Sequence, residues 1–161
     1  MSLSRRAFIL SALAVAACGF TPVYGPGGVG QKLFGKVRAA DPRNPDEYFF
    51  SGFIEQRIGR PTAPVYDLAY NLRVAVVPQA ITSDEVTTRY ALNGTASFTL
   101  TEIATSRVVT RGQVSSFTSY SATGTSIATM TAEQDAHERL AEMLADQVVT
   151  RLLATTPDSL P

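Results

Sequence analysis

The sequence predicts an α+β fold, a two-layer sandwich whose four-stranded, mostly antiparallel sheet carries two helices on one face. Three observations lead there. Tyr66 to Pro78 and Arg89 to Leu100 alternate apolar and polar residues with the period of a half-buried strand. A third strand, about Val108 to Tyr120, follows across the hairpin loop Ala104-Thr105-Ser106. Capped helical segments stand before and after these strands, and the order strand, helix, three strands, helix suits helices packed on one side of a sheet.

The 161 residues, 45% hydrophobic, are enough for one domain with a buried core. The 14 basic and 14 acidic residues balance, which argues against a nucleic-acid partner. One Cys and one His exclude a disulfide framework within the chain and a Cys/His zinc cluster, so no metal and no cofactor is expected.

Residues 1–17 have the order of a secretory leader. Ser4-Arg5-Arg6 is a positive start, and Ala7 to Ala17 is an apolar run too short to span a bilayer. Small residues precede Cys18 in Val15-Ala16-Ala17-Cys18, which resembles the lipobox of bacterial lipoproteins, so Cys18 is the expected lipidation site and the only thiol is consumed there. Ser4-Arg5-Arg6-Ala7-Phe8 also resembles a twin-arginine export motif, and both export routes stay open. Gly19 stands where an Asp would mark inner-membrane retention in enteric lipoproteins, so transfer to the outer membrane is expected.

The mature chain divides into a lipidated Gly/Pro-rich tether (18–31), one domain (32–154) and a flexible tail (155–161). Lys32 to Ala40 holds a short first strand. Asn44-Pro45-Asp46-Glu47 starts the first helix, with Asn as N-cap, Pro at the first helical position and Glu at the third. Phe49, Phe50, Phe53, Ile54 and Ile58 share one side of it, and Gly59 and Pro61 end it. In the first long strand Tyr66, Leu68, Tyr70, Leu72, Val74 and Val76 fall on one face; Ser83 to Glu85 then turns the chain. In the next strand Tyr90, Leu92, Gly94, Ala96, Phe98 and Leu100 fall together. The apolar parity of the last strand shifts between Val114 and Phe117, which predicts a bulge near Ser115 and Ser116. After a loop from Ser121 to Thr129, Thr131-Ala132-Glu133-Gln134 forms a capping box for a closing helix that runs to about Leu153.

No catalytic constellation emerges. His137, between Asp135 and Glu138, fits a solvated helix face. The stretch Gly25 to Gly30 lacks the Gly-Lys-Ser/Thr of a phosphate loop. Asp46/Glu47 and Asp84/Glu85 suit a helix start and a turn better than acid–base chemistry, so the protein is not expected to be an enzyme.

Cys18-Gly19-Phe20-Thr21-Pro22-Val23-Tyr24-Gly25 resembles the C-G-F-x-P-[VL]-Y-G opening of the LptE family in alphaproteobacteria, the lipopolysaccharide-assembly lipoproteins. Ala141 and Leu144-Ala145-Asp146-Gln147-Val148-Val149-Thr150-Arg151-Leu152 are similar to that family's closing L-A-x-[DQ]-I-x-x-R-L pattern, and the likeness runs from Cys18 to about Leu153. The resemblance implies an outer-membrane lipoprotein that sits inside an LptD β-barrel and assists lipopolysaccharide insertion into the outer leaflet. Of the family's functional residues, only Cys18 is carried over.

The residues themselves are compatible with that role. Asn71, Arg73, Arg89, Asn93, Thr95, Ser97 and Thr99 form a small, polar sheet face suited to a barrel's polar lumen. Arg73 and Arg89 on this face are the candidate contacts for lipopolysaccharide phosphates, because guanidinium groups bind phosphate in bidentate fashion. The competing structural role for Arg73 is a cross-strand pair with Asp67 or Glu102. Two other functions are set against this one: a non-catalytic lipoprotein that docks on a peptidoglycan synthase, for which a tether ending at Gly30 is short, and a lipid-anchored hydrolase, which lacks its constellation.

Overall fold

The computed structural model describes residues 23–26, 28–81 and 87–156. Its elements are α1 (Val29–Leu33), β1 (Val37–Ala39), α2 (Pro45–Ile58), β2 (Tyr66–Ile81), β3 (Thr87–Glu102), β4 (Val108–Ser121) and α3 (Ser126–Thr155). The leader, Cys18, the turn Ser83 to Glu85 and the tail from Pro157 lie outside the described residues. The four strands form one sheet in the order β1-β2-β3-β4, with β1 parallel to β2 and the other pairs antiparallel. This is the expected α+β architecture, with a third, short helix.

That helix corrects the expected tether and the expected first strand. Val29, Gly30 and Leu33 are buried, so the fold begins before Lys32, and only Val37–Ala39 is strand. Gly30 is required by contact: a Cβ there would stand 2.6 Å from the Tyr24 ring.

α2 starts as its residues dictate. The Asn44 side chain accepts from the Glu47 N–H at 2.9 Å, Pro45 occupies the first turn, and Glu47 reaches back to accept from the Arg43 N–H at 2.8 Å. Gly59 ends it at φ 79°, a left-handed conformation, and a side chain there would also crowd the Phe34 ring.

The inner face of the sheet is made by even-numbered residues. Tyr66, Leu68 and Tyr70 of β2 and Leu92, Ala96, Phe98 and Leu100 of β3 are buried beneath Phe50, Ile54 and Ile58 of α2 and Leu140, Leu144, Val148 and Leu152 of α3. Val76 continues the parity but is exposed, although Leu92 opposite it on β3 is fully buried. Gly94 lets α3 approach closely, since a Cβ there would lie 2.8 Å from a Leu144 methyl.

β4 has no bulge near Ser115 and Ser116. Its register with β3 is unbroken from Arg89↔Ser121 to Leu100↔Thr110 and shifts only beside Thr101↔Val108. The apolar signal misled because the inward positions Gly112, Ser116 and Thr118 are small, filled from above by α3 and from beside by Phe98 (the Ser116 hydroxyl meets Met143 Sδ at 3.6 Å). Phe117 simply faces outward.

α3 starts earlier than the capping box suggests. Thr125 is its N-cap, accepting from the Ala128 N–H at 3.3 Å, while Thr131 lies within the helix and donates to the Ile127 carbonyl. No Gly or Pro interrupts 126–131, so nothing stops the helix from extending back to the loop at Gly124. Its far end also runs past Leu153: Thr155 is helical and Thr156 is buried, so these two belong to the fold and not to a tail. Among the described residues no helix is long and apolar enough to cross a membrane.

Candidate functional site

The uncovered face of the sheet presents the odd-numbered residues of β2, β3 and β4. Pairing places them in rows across the strands: Ala69, Thr99 and Arg111; Asn71, Ser97 and Gln113; Arg73, Thr95 and Ser115; Ala75, Asn93 and Phe117. All seven polar residues read from the sequence lie on it, exposed or half-buried. The surface is low and hydrogen-bonding; Ser97 donates to Gln113 Oε1 at 3.3 Å.

Arg73 and Arg89 both face outward, but the structure does not bring them together. Thr95 lies opposite Arg73, and the stretch of β3 from Thr95 back to Arg89 is about 20 Å at ordinary strand rise. Arg111, which stands opposite Thr99 towards the other end, completes a series of three arginines spaced along the face. Strand parity could have found Arg111, which lies three residues before the buried Val114 and on the opposite face of β4. Among the described residues none of the three makes an ion pair. The carboxylates that might have held Arg73 are taken: Asp67 binds Arg38 through two hydrogen bonds of 2.8 and 3.0 Å, and Glu102 lies buried on the inner face, where it accepts from Thr105 and Arg107. The Asp67 pair also holds the Arg38 guanidinium more firmly protonated. Free guanidinium groups on a polar face can bind phosphate or acidic sugar without first breaking an internal pair.

A second feature lies on the helical side. A cleft of about 450 Å³ opens between the start of α2 and the first turns of α3, lined by Asn44, Phe49, Met130, Glu133 and His137 among others. His137 is not on a solvated face as its neighbours suggested. Its Nδ1 lies 2.7 Å from Asp46 Oδ1 with both side chains about three-quarters buried, so it ties α3 to α2. Lower on the same seam, Arg57 bonds Asp146 at 2.7 Å and Glu142 at 3.2 Å. Among the described residues no group of His, Cys, Asp and Glu could hold a metal ion.

The fold is thus an open sheet with helices on one side and, on its polar second side, three arginines that make no ion pair among the described residues. Residues 36–152 match the family model of LptE, lipopolysaccharide-assembly, which spans most of the chain. The protein belongs to the LptE family. Its role therefore lies in lipopolysaccharide assembly at the outer membrane, within a family that is non-catalytic. Similar solved structures include a Caulobacter crescentus protein described as a lipoprotein (TM-score 0.66, 15% identity, covering 80% of this chain and 96% of that one). Rare lipoprotein B from Shewanella oneidensis aligns with TM-score 0.57 and 10% identity, covering 74% and 93% of the two chains. A minor lipoprotein from Acinetobacter baumannii aligns with TM-score 0.53 and 14% identity, covering 78% and 95%. At these identities the likeness is one of fold. No curated protein sequence matches the chain.

Proposed function

We propose that this protein, anchored by acyl chains on Cys18, binds and plugs an LptD-like outer-membrane β-barrel and assists the insertion of lipopolysaccharide into the outer leaflet. The observation that carries the reading is the uncovered sheet face, small and polar, on which Arg73 and Arg89 make no ion pair among the described residues. A plug must be thin enough to enter a lumen and polar enough to match its wall, and small Thr, Ser and Asn side chains meet both needs. Arg73 and Arg89 are the proposed contacts for lipopolysaccharide phosphates or acidic sugars. Their spacing means that they would meet separate groups of one large ligand or successive positions along its path.

Affinity capture of the protein from outer membranes tests the partner. A large β-barrel should come with it, and Thr95→Trp, which raises a bulky ring in the middle of the polar face, should reduce the barrel recovered while leaving the Tm of the purified protein unchanged. Recovery of no barrel with the unaltered protein overturns the plug. Processing tests the anchor: Cys18→Ser should leave the precursor uncleaved, and cleavage of that variant before residue 18 would refute lipidation.

A further inference from the structure

Several exposed apolar side chains gather at the end of the fold where Val23 and Tyr24 enter it. The Val23 carbonyl accepts from the Gly30 N–H at 2.9 Å, and the Tyr24 ring lies against Gly30. The Phe34 ring lies against Gly59, and the Gly35 N–H donates to the Ile58 carbonyl at 2.7 Å. The Lys36 carbonyl accepts from Val65, whose own carbonyl accepts from Ile103, and Val108 pairs with Thr101. Val23, Tyr24, Phe34, Ile103 and Val108 therefore share one end of the sheet, each between 40% and 58% exposed. Lys36, Arg60 and Arg107 stand among them; Arg60 pairs with Glu55 and Arg107 with Glu102.

Other apolar side chains are exposed at the far end, Val76, Ile127 and Met130 among them, but chain length separates the two groups. The residues between Cys18 and Val23 are only 19–22, and a fully extended chain over that interval reaches at most about 18 Å. Val76 lies about 33 Å from Tyr66 along β2. An acylated Cys18 thus holds the near end against the membrane surface and cannot bring the far end there.

Resting on the reading of Cys18 as the acylated residue, we propose that the near end docks on the lipid surface. Tyr24 and Phe34 enter the headgroup layer, Ile103 and Val108 lie beside them, and the basic residues face anionic headgroups. Aromatic side chains favour that layer because an apolar ring and a wet environment meet there, and cations nearby gain from anionic lipid. The contact turns a tether into a fixed orientation, with the sheet's long axis leading away from the leaflet that holds the anchor.

The chain contains no Trp, so one introduced Trp reports its own surroundings. Full-length protein carrying Phe34→Trp, and separately Phe117→Trp on the uncovered sheet face, would be processed, purified and reconstituted into phosphatidylethanolamine–phosphatidylglycerol vesicles with or without brominated acyl chains. The emission of the Phe34→Trp protein should shift to the blue and be quenched by brominated lipid, while that of Phe117→Trp does neither. Val108→Trp reads the same end if Phe34→Trp folds poorly. No quenching at the near end, or equal quenching at both positions, overturns the docking. Loss of near-end quenching when a barrel partner is added would mean that protein covers this end, and also overturns it. Mass spectrometry of the same samples reads the anchor independently. Acylated but unquenched protein refutes docking alone, whereas unacylated protein refutes both.

Discussion

The two faces of the sheet are built from alternate residues of the same strands, yet they do different work. Along β3, Leu92, Gly94, Ala96, Phe98 and Leu100 lie sealed under α2 and α3, while Asn93, Thr95, Ser97 and Thr99 face the other way, where none of the described helices lies. Close packing makes the inner face sensitive to single atoms, because a dense interior cannot absorb added or missing volume. The outer face has no such constraint, so its side chains are free to be chosen for what they bind. One residue of parity separates stability from recognition.

The largest effects should therefore come from the inner face. Leu144→Ala should cost about 2–5 kcal/mol of unfolding free energy, through lost burial and the cavity left under the sheet. Gly94→Val should cost about 1–3 kcal/mol, since its first side-chain carbon alone would crowd Leu140 and Leu144. Thr95→Val, one residue along and facing out, should change little. Urea denaturation of the three variants measures the contrast, and equal losses at 94 and 95 would break it.

Alkali should reach the inner face next. Burial favours the neutral phenols of Tyr66, Tyr70 and Tyr120 and raises each pKa above its ordinary 10.0; Glu102, Glu47 and Glu133 respectively push the same way. The unfolded chain then loses these protons first. The tyrosines' contribution to stability is complete below pH 10 and is lost as pH rises through the folded-state values. Denaturant midpoints measured on either side of pH 10 should fall on the alkaline side, and Tyr66→Phe should flatten that fall.

A smaller effect belongs to the edge of the helical layer. Asn44→Ala removes the acceptor for the Glu47 N–H and should cost about 1 kcal/mol, visible as a lowered Tm; Asn44→Asp should restore it. The smallest stability effect should come from the outer face, where the comparison turns from stability to binding. The double variant Arg73→Gln, Arg89→Gln breaks no ion pair among the described residues and should leave the Tm unchanged. It should weaken lipopolysaccharide binding by equilibrium titration while leaving barrel association nearly intact. Unaltered affinity would remove these arginines from the ligand path without touching the plug.

Much of the inner face was legible in the sequence, and the reason is local. The alternation in β2 and β3 is a direct consequence of strand geometry, and Asn44-Pro45-Asp46-Glu47 caps α2 with groups only a few residues apart. The outer face was legible as a list of residues but not as a surface. Parity placed Arg73 and Arg89 outward and would have done the same for Arg111; how the three are spaced across the face needed the register of three strands. The cleft and the His137–Asp46 bond were invisible, because the partners lie on separate helices joined only by packing.

By itself, then, the sequence determined those features whose causes are neighbours in the chain: the strand faces, the α2 cap and the Gly59 stop. Tertiary structure decided what depends on competition between distant groups. It turned Val29–Leu33 into a buried helix by setting Leu33 in the core, and it kept β4 unbulged because α3 and Phe98 fill the space above its small residues. It also kept Arg73 from both of its expected acidic partners by giving Asp67 to Arg38 and burying Glu102 on the opposite face. A carboxylate can serve only the cations that the fold places within reach, and no local pattern states which those are.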